Sequence, residues 1–349
     1  MSFFGTQPTP TASSAKSSDV EVAQPPTDSI SSMAFSPQAD YLAVGSWDNS
    51  ANVRIYEVAA NGQSQGKAAY SHQGPVLSVC WSKDGTKVFS GGADNAGRVL
   101  DVSTGQSFQV AQHDAPVKSV KWIEAHGGLL ATGSWDKTLR YWDLRTPAPV
   151  VTINLPERCY SVDVLEPIVA VATAGKQVLI YNLSNPTVPY KSIISPLRYQ
   201  MRVVSCFPKG IAIGGAEGRV AMQYTTETSQ LQNYTFRAQK QDLENTKNGF
   251  VMYAVNDISF HPVHGTFVTC GSDGGITSWD GDARVRIKPF DLQPGPITST
   301  AFNRTGTIMA YSISYDWHRG HSGMTPQQSV QIKLHACTDE EMQRKPRKP

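Results

Sequence analysis

A recurring pair of small residues is the feature that most constrains how this chain can fold. Each pair ends a short hydrophobic run, and successive pairs lie 40–57 residues apart along the 349-residue chain. The pairs are Gly45-Ser46, Gly91-Gly92, Gly133-Ser134, Ala174-Gly175, Gly214-Gly215, Gly271-Ser272 and, in degenerate form, Tyr311-Ser312. Self-similarity at such a period predicts an array of similar units packed side by side.

Each repeat has the same order of strands and turns. In the third copy a first strand is predicted at 117–122, a second at 129–132 and a third at 139–143. Runs of β-branched and aromatic residues separated by Gly, Pro, Asp and Asn are typical of short strands joined by tight turns. Three strands and a more variable fourth, at about 40–45 residues per repeat, are typical of a propeller blade. The sequence therefore predicts an all-β fold, a single-domain propeller of seven blades.

Three segments lie outside the regular repeat. Residues 1–28 are rich in Ser, Thr, Pro and Ala and are predicted to be disordered, although 20–25 could supply the outer strand of the last blade. The propeller is assigned to 29–338 and a basic C-terminal tail to 339–349. The polar stretch 226–252 is predicted to be a surface loop between blades five and six.

Charge and cysteine content argue against several classes of function. The net charge of +2 gives no global attraction to nucleic acid or membranes. Five widely spaced cysteines without a Cys-x-x-Cys pair favour a reducing compartment over a disulfide framework or zinc site. No phosphate-binding loop or nucleophile elbow is present, and the apolar runs are strand-sized. We therefore expect no enzymatic activity, metal, cofactor, small-molecule substrate or membrane insertion.

Two histidines are assigned to structure rather than to catalysis. His72 recurs with Asp94, and His113 recurs with Asp136, at matching positions of neighbouring repeats. Buried polar groups in a β core need hydrogen-bond partners, so a structural network is expected at both places.

Trp47 and Trp135 are the first candidate binding residues. Each lies in an identical Gly-Ser-Trp-Asp turn after the second strand of its repeat. A tryptophan on an exposed turn either binds a partner or packs on neighbouring loops, and its position in the sequence leaves both readings open.

Charged residues near two further turns are the remaining candidates. Arg219 follows Glu217 in the corresponding turn of the fifth repeat, and a guanidinium is suited to pairing with a carboxylate or phosphate. Trp317, His318 and Arg319 combine an aromatic ring with basic groups, which is typical of single-stranded nucleic-acid contacts. Solvent-exposed charges and loop-packing aromatic rings would have the same appearance in the sequence.

Specific runs of residues resemble a known family. Trp142-Asp143 and Trp279-Asp280 match the dipeptide of WD40 repeats. Gly45-Ser46-Trp47-Asp48, Glu217-Gly218-Arg219-Val220-Ala221 and the run 253–266 are more specific. Together with Tyr315-Asp316-Trp317, they make the chain similar to the nuclear-pore-associated WD40 mRNA export factors.

This resemblance implies a function and assigns residues to it. Such a propeller would bind the GLEBS motif of a phenylalanine-glycine-repeat nucleoporin, an mRNA export receptor and messenger ribonucleoprotein or single-stranded RNA, with an additional link to the mitotic spindle. It would lie in the nucleus and at the nuclear envelope, with shuttling to the cytoplasm. The GLEBS-binding residues would be Arg219, Trp47, Trp135 and Glu217. The nucleic-acid patch would contain Trp317, Arg319, His318, Arg237 and Lys240.

Three other readings compete with this assignment. The sister propeller of the mitotic checkpoint uses a similar face for GLEBS motifs of Bub-type kinases. An enzyme on a propeller would need carboxylates or histidines converging on the central channel, and no such set recurs in the predicted first strands. A ubiquitin-ligase adaptor would carry an additional adaptor domain before the blades.

Overall fold

Seven four-stranded antiparallel sheets surround a central channel, which confirms the predicted seven-bladed β-propeller. The computed structural model describes residues 19–49, 52–225, 232–243, 249–325 and 329–344. Six blades are continuous in sequence, and the last one combines strands from both ends of the described chain. No helix within the described residues is both long and apolar enough to cross a membrane.

The strands of each blade run outward from the channel in sequence order. The innermost strands are β2 (Ile30–Phe35), β6 (Val76–Trp81), β10 (Val117–Ile123), β14 (Cys159–Leu165), β18 (Met201–Phe207), β24 (Val255–Phe260) and β28 (Ile297–Phe302). The second strands are β3 (Tyr41–Ser46), β7 (Lys87–Gly92), β11 (Leu129–Ser134), β15 (Ile168–Thr173), β19 (Gly210–Gly215), β25 (Phe267–Gly271) and β29 (Ile308–Ile313). The third strands are β4 (Val53–Val58), β8 (Ala96–Asp101), β12 (Thr138–Trp142), β16 (Gln177–Asn182), β20 (Arg219–Tyr224), β26 (Ile276–Asp280) and β30 (Gln331–Ala336). The outer strands are β5 (Ser64–Tyr70), β9 (Ser107–Gln112), β13 (Val151–Asn154), β17 (Asn185–Ile194), β21 (Tyr234–Arg237), β27 (Val285–Pro289) and, for the last blade, β1 (Val20–Glu21).

The first strand of the described chain closes the ring. β1 pairs antiparallel with β30, with Val20 opposite Leu334. Val22 continues from this strand and is 1% exposed against the core of the first and last blades. Pairing the two ends of the chain in one sheet removes the open edge that an incomplete ring would leave.

The hydrophobic core is divided among the junctions between blades. Within the described residues the buried apolar side chains form seven clusters, and each cluster joins two neighbouring blades. Between blades three and four, for example, Ile123 and Tyr141 pack with Val162 and Tyr181. Because every blade buries both of its faces only between two neighbours, the fold depends on completion of the ring.

The stretch 226–252, expected to be a surface loop, contains regular structure. β21 pairs with β20 as the outer strand of blade five, and β22 (Lys240–Asp242) forms a hairpin with β23 (Phe250–Met252). The strand forms because Tyr234 and Phe236 alternate with polar residues and direct their rings at the sixth blade. Residues 226–231 and 244–248 of this stretch lie outside the described residues.

The segment 339–349, assigned from the sequence to a basic tail, begins with a packed helix. α1 (Asp339–Met342) is preceded by Thr338, whose side chain forms a capping box with Glu341. Met342 is 1% exposed and joins the core between blades six and seven. The packed fold therefore extends beyond residue 338. The basic residues Lys345, Arg347 and Lys348 lie outside the described residues. Of the stretch 1–28 that the sequence predicts to be disordered, residues 1–18 lie outside the described residues, whereas 19–28 are ordered and contain β1, because Val22 packs in the core.

Candidate binding face

The connections between second and third strands carry most of the predicted binding residues. Trp47 and Trp135 lie in the β3–β4 and β11–β12 turns, and Glu217 lies in the β19–β20 turn. Arg219 begins β20, and Trp317 lies in the long connection between β29 and β30. Strands alternate in direction within each antiparallel blade, so all connections of this type emerge on the same side of the disc. The predicted residues therefore share one face.

Three tryptophans surround the opening of the central channel on this face. The rings of Trp47 and Trp317 stack, with centroids 4.6 Å apart and an interplanar angle of 21°. Trp135 is 38% exposed and lines the same cavity of about 520 Å³. We call these three residues the tryptophan mouth. Trp317 has a φ of +60°, which is rare for a bulky residue and indicates that tertiary contacts hold it there.

Asp316 fixes the connection that carries Trp317. Its carboxylate accepts hydrogen bonds from Ser272 Oγ and from Asn256 Nδ2 (3.0 Å), and it lies 2.5 Å from His318 Nδ1. Burial raises the pKa of the Asp316 carboxyl, but the hydrogen bonds outweigh burial and leave the pKa below its ordinary value. Asp316 therefore acts as an ionised anchor that joins blades six and seven beneath the tryptophan mouth.

A second concave surface lies at the entrance to blade five. It has a volume of about 580 Å³ and is lined by Arg198, Glu217, Arg219 and Arg237, which we call the arginine groove. Arg219 and Arg237 are directly opposite each other in the pairing of β20 with β21. Neither guanidinium has an ion pair with any residue that the structure describes. Two cations at facing positions of a sheet repel each other, so this groove is suited to an anionic ligand.

The β22–β23 hairpin completes one wall of the arginine groove. Arg237 Cζ lies 4.7 Å from the centre of the Phe250 ring, and Lys240 Nζ lies 5.1 Å from it. Lys240 is also paired with Asp242 at 2.6 Å. These cation–π contacts hold the basic side chains over an aromatic surface beside the groove.

The turn before Arg219 depends on glycine. Gly218 has a φ of +72°, and a Cβ atom there would lie 2.6 Å from the Tyr253 carbonyl oxygen and 2.7 Å from that of Gln239. Glu217 accepts a hydrogen bond from the backbone N–H of Arg198 at 3.2 Å. The turn is thereby fixed against the entry to β18, and Arg219 projects from a rigid corner.

The structure groups the predicted residues differently from the two sets expected from the sequence. Trp317, expected in a nucleic-acid patch, lies with Trp47 in the tryptophan mouth, while Arg237 and Lys240 border the groove that contains Arg219. His318 and Arg319 are exposed beside the mouth. The two surfaces are contiguous, because Ala216 lines the cavity at the tryptophan mouth and the next residue, Glu217, lines the arginine groove.

The two histidines assigned to structure form buried hydrogen-bond networks, as predicted. His113 Nδ1 lies 2.8 Å from Asp136 Oδ2, and its Nε2 lies 2.7 Å from Thr132 Oγ1. Burial lowers the pKa of His113, so its neutral form is favoured. His72 makes the equivalent contacts with Asp94, at 3.0 Å, and with Ser90, at 2.6 Å.

Several residues of the face were not identified from the sequence. Arg198 and the 65% exposed Tyr199 precede the first strand of blade five, in a connection that emerges on the same side as the second-to-third turns. That placement is a usable signal, because it follows from strand order alone. Phe250 gave no such signal, since only the pairing of β22 with β23 brings it to the groove.

Two family models of WD40 domains each match part of the chain. The Anaphase-promoting complex subunit 4 WD40 domain matches residues 33–125, and the WD domain, G-beta repeat, matches residues 247–280. A crystal structure of a mitotic checkpoint complex contains a chain that superposes with a TM-score of 0.70. At 14% identity, covering 97% of this chain and 98% of that one, this likeness shows the propeller fold alone.

Curated relatives match over nearly the whole chain. The Poly(A)+ RNA export protein of Schizosaccharomyces pombe is 50% identical, covering 100% of this chain and 99% of the relative. The mRNA export factor GLE2 of Chaetomium thermophilum is 47% identical, with 98% of each chain covered. Protein Rae1 of Drosophila melanogaster is 45% identical, covering 95% of this chain and 97% of the relative. The chain therefore belongs to the WD40-repeat family of mRNA export factors.

Proposed function

We propose that this protein is a non-enzymatic scaffold of mRNA export that binds the GLEBS motif of a phenylalanine-glycine-repeat nucleoporin. The observation that carries the proposal is the facing pair Arg219 and Arg237, neither of which forms an ion pair with any residue that the structure describes. An acidic segment in the groove turns the repulsion between these cations into charge-assisted hydrogen bonds.

The walls of the arginine groove support binding of a peptide rather than a lone ion. Tyr199 and Phe250 supply aromatic surface next to the guanidinium groups of Arg198 and Arg219. Aromatic and arginine side chains are enriched in the residues that dominate binding energy at protein interfaces. A peptide with acidic and apolar residues in alternation matches this lining.

The tryptophan mouth extends the same site. Because Ala216 and Glu217 join the two surfaces, a segment that fills the groove can continue over Trp47 and Trp135. The stacked pair of Trp47 and Trp317 then offers a large, preorganised apolar contact. The guanidinium groups set the position of the acidic residues, and the indoles bury apolar ones.

Replacement of Arg219 tests this proposal. Arg219→Glu is expected to weaken an acidic GLEBS peptide at least about 100-fold, because it removes a charge-assisted pair and adds repulsion. Calorimetric titration of the peptide measures the loss, and the melting temperature should stay close to that of the wild type. Arg286→Glu is the matched control, since Arg286 is an exposed arginine on the outer strand of blade six.

Wild-type affinity in Arg219→Glu would remove the proposed site. The same titration with peptides from Bub-type kinases separates this function from that of the mitotic checkpoint propeller. Preference for the nucleoporin peptide supports the export factor, to which the additional spindle role also belongs, whereas preference for kinase peptides supports the sister function.

We infer a second contact, with single-stranded RNA, from the exposed basic residues of the face. His318 and Arg319 directly follow Trp317 in the chain and are exposed, and Arg237 and Lys240 lie against the ring of Phe250. Rings next to cations are suited to base stacking with phosphate pairing. RNA affinity measured by fluorescence anisotropy should fall steeply with added salt, because phosphate contacts release counterions. A salt-independent affinity would reject this contact.

A scaffold with these two contacts would link messenger ribonucleoprotein and its export receptor to the pore. The corresponding location is the nucleus and the nuclear envelope, with shuttling through the cytoplasm. Imaging of a tagged wild-type chain beside Arg219→Glu tests this, because loss of the nucleoporin contact should deplete the signal at the nuclear rim.

A further inference from the structure

Every blade has a β-bulge at the same position of its inner strand. In each of the seven pairings between inner and second strands, the register shifts after the first residue of the inner strand. A bulge leaves one residue without a cross-strand partner and redirects its side chain. The residues skipped by the register are Ser31, Leu77, Lys118, Tyr160, Arg202, Asn256 and Thr298.

These seven bulge residues form a ring in the central channel, which we call the neck. All seven line both the channel cavity of about 590 Å³ and the cavity of about 520 Å³ at the tryptophan mouth. A residue shared by two adjoining cavities lies at their junction. A ligand that enters past the indoles therefore meets the neck first.

The neck is positively charged. It contains two cations, Lys118 and Arg202, and its other members are a tyrosine, an amide, two hydroxyls and a leucine. Tyr160 belongs to the blade between those of the two cations, so three hydrogen-bond donors come from adjacent inner strands. No carboxylate occupies any of the seven neck positions, all of which the structure describes.

Lys118 has no hydrogen bond or ion pair with any residue that the structure describes. Arg202 Nη2 donates to the Asp316 carbonyl oxygen at 3.2 Å, and its Nη1 lies 3.9 Å from the Asp316 carboxylate. Burial and the nearby guanidinium of Arg202 lower the pKa of the Lys118 ammonium group. An anion bound beside Lys118 would oppose both effects and favour the charged form of its side chain.

The carboxylates that line the channel cavity or the cavity at the tryptophan mouth have other partners. Asp163 is paired with Lys121 at 2.8 Å, deeper in the channel. Asp257 accepts hydrogen bonds from Thr300 N–H at 2.9 Å and Ser299 Oγ at 3.1 Å. The Asp316 carboxylate is held by blade six, as described above. None of these three carboxylates forms an ion pair or a hydrogen bond with Lys118, although Asp257 attracts its ammonium group at longer range.

We propose that the neck is a binding site for one oxyanion, a phosphate or carboxylate group held between Lys118, Tyr160 and Arg202. A small oxyanion can accept from an ammonium, a phenol and a guanidinium at once, and these three residues line the same two cavities from adjacent blades. The site is distinct from the arginine groove, because none of its three donors lines that groove.

Titration of the full-length protein with inorganic phosphate, at constant ionic strength, tests the site. Calorimetry should detect binding to the wild type and a loss of about tenfold or more for Lys118→Met. Tyr160→Phe, which removes only a hydroxyl group, should weaken binding to a smaller extent. Lys137→Met is the matched control on the same blade, because Lys137 is exposed and paired with Glu157, and it should bind phosphate like the wild type.

The source of the oxyanion is identified by repeating the titration with saturating acidic peptide. Competition would show that a carboxylate of the peptide reaches the neck, and independent binding would show that the anion comes from solution; both results support the site. Arg219→Glu should retain phosphate binding, which separates this site from the proposed peptide function. No phosphate binding by the wild type, or wild-type affinity in both Lys118→Met and Tyr160→Phe, would overturn the proposal.

Discussion

Blades three and five use the connection between their second and third strands in opposite ways. In blade three, Asp136 follows Trp135 and is turned inward, where it joins His113 and Thr132 in a buried network. In blade five, Glu217 and Arg219 occupy the corresponding connection, and Arg219 faces Arg237 across the sheet without an ion pair to any described residue.

The difference shows which polar residues stabilise the fold and which are left for a partner. A buried group whose hydrogen bonds are all made within one blade contributes to stability, because breaking one bond leaves its partners unsatisfied. A charged group without a partner contributes little or is unfavourable until a ligand arrives. Substitutions in the two blades should therefore separate stability from binding.

The largest effect is expected in blade three. His113→Ala should reduce the free energy of unfolding by about 3 kcal/mol, because it removes the buried hydrogen bonds of His113 to Asp136 and Thr132 and leaves a cavity in their place. Urea denaturation followed by circular dichroism measures the change. Arg219→Ala is the comparison in blade five and should change the free energy by less than about 0.5 kcal/mol. Equal losses in the two variants would break the distinction between the blades.

The seventh blade also contains a histidine network, formed by His335, Asp19 and Glu341, but this network is charged rather than neutral. Burial alone would lower the pKa of His335, but its hydrogen bonds to Asp19 and Glu341 raise that pKa to about 9. A pKa raised on folding stabilises the protein fully below the unfolded value of about 6.5, and this stabilisation is lost as the pH rises through about 9.

Stability should therefore fall between pH 7 and pH 10 by on the order of 2 kcal/mol through this group. Other groups titrate in the same range, so the measurement is the difference in unfolding free energy between the wild type and His335→Gln across that range. If this difference in unfolding free energy does not vary with pH, His335 is not held in its charged form by Asp19 and Glu341.

The smallest effect is expected in blade five and has the opposite sign. Arg219→Gln removes one of two facing cations, leaves the contact between Arg237 and Phe250 in place, and should stabilise the free protein by about 0.3 kcal/mol at low ionic strength. The gain should shrink with added salt, which screens exposed charges. In saturating acidic peptide the variant should become the less stable protein. Thermal denaturation at two salt concentrations measures both effects, and destabilisation of the free protein would show that the arginine pair is not repulsive.

The repeat period, the strands and the exposed corners could be predicted from the sequence because each follows from local patterns. Alternating β-branched and aromatic residues specify strands, and Gly-Ser-Trp-Asp or Glu-Gly-Arg specify turns, over spans of only a few residues. Trp47, Trp135 and Arg219 were identified in this way, and strand order alone places their turns on one side of the disc.

Contacts between distant parts of the chain were decided only by the tertiary structure. Trp47 stacks on Trp317, Val20 pairs with Leu334, and Arg219 faces Arg237, because ring closure and strand register bring these residues together. The neck likewise depends on one bulge in every inner strand, which aligns Lys118, Tyr160 and Arg202 at the same level. Local patterns specify the elements of a propeller, whereas the neighbours of a side chain depend on how seven blades close around one axis.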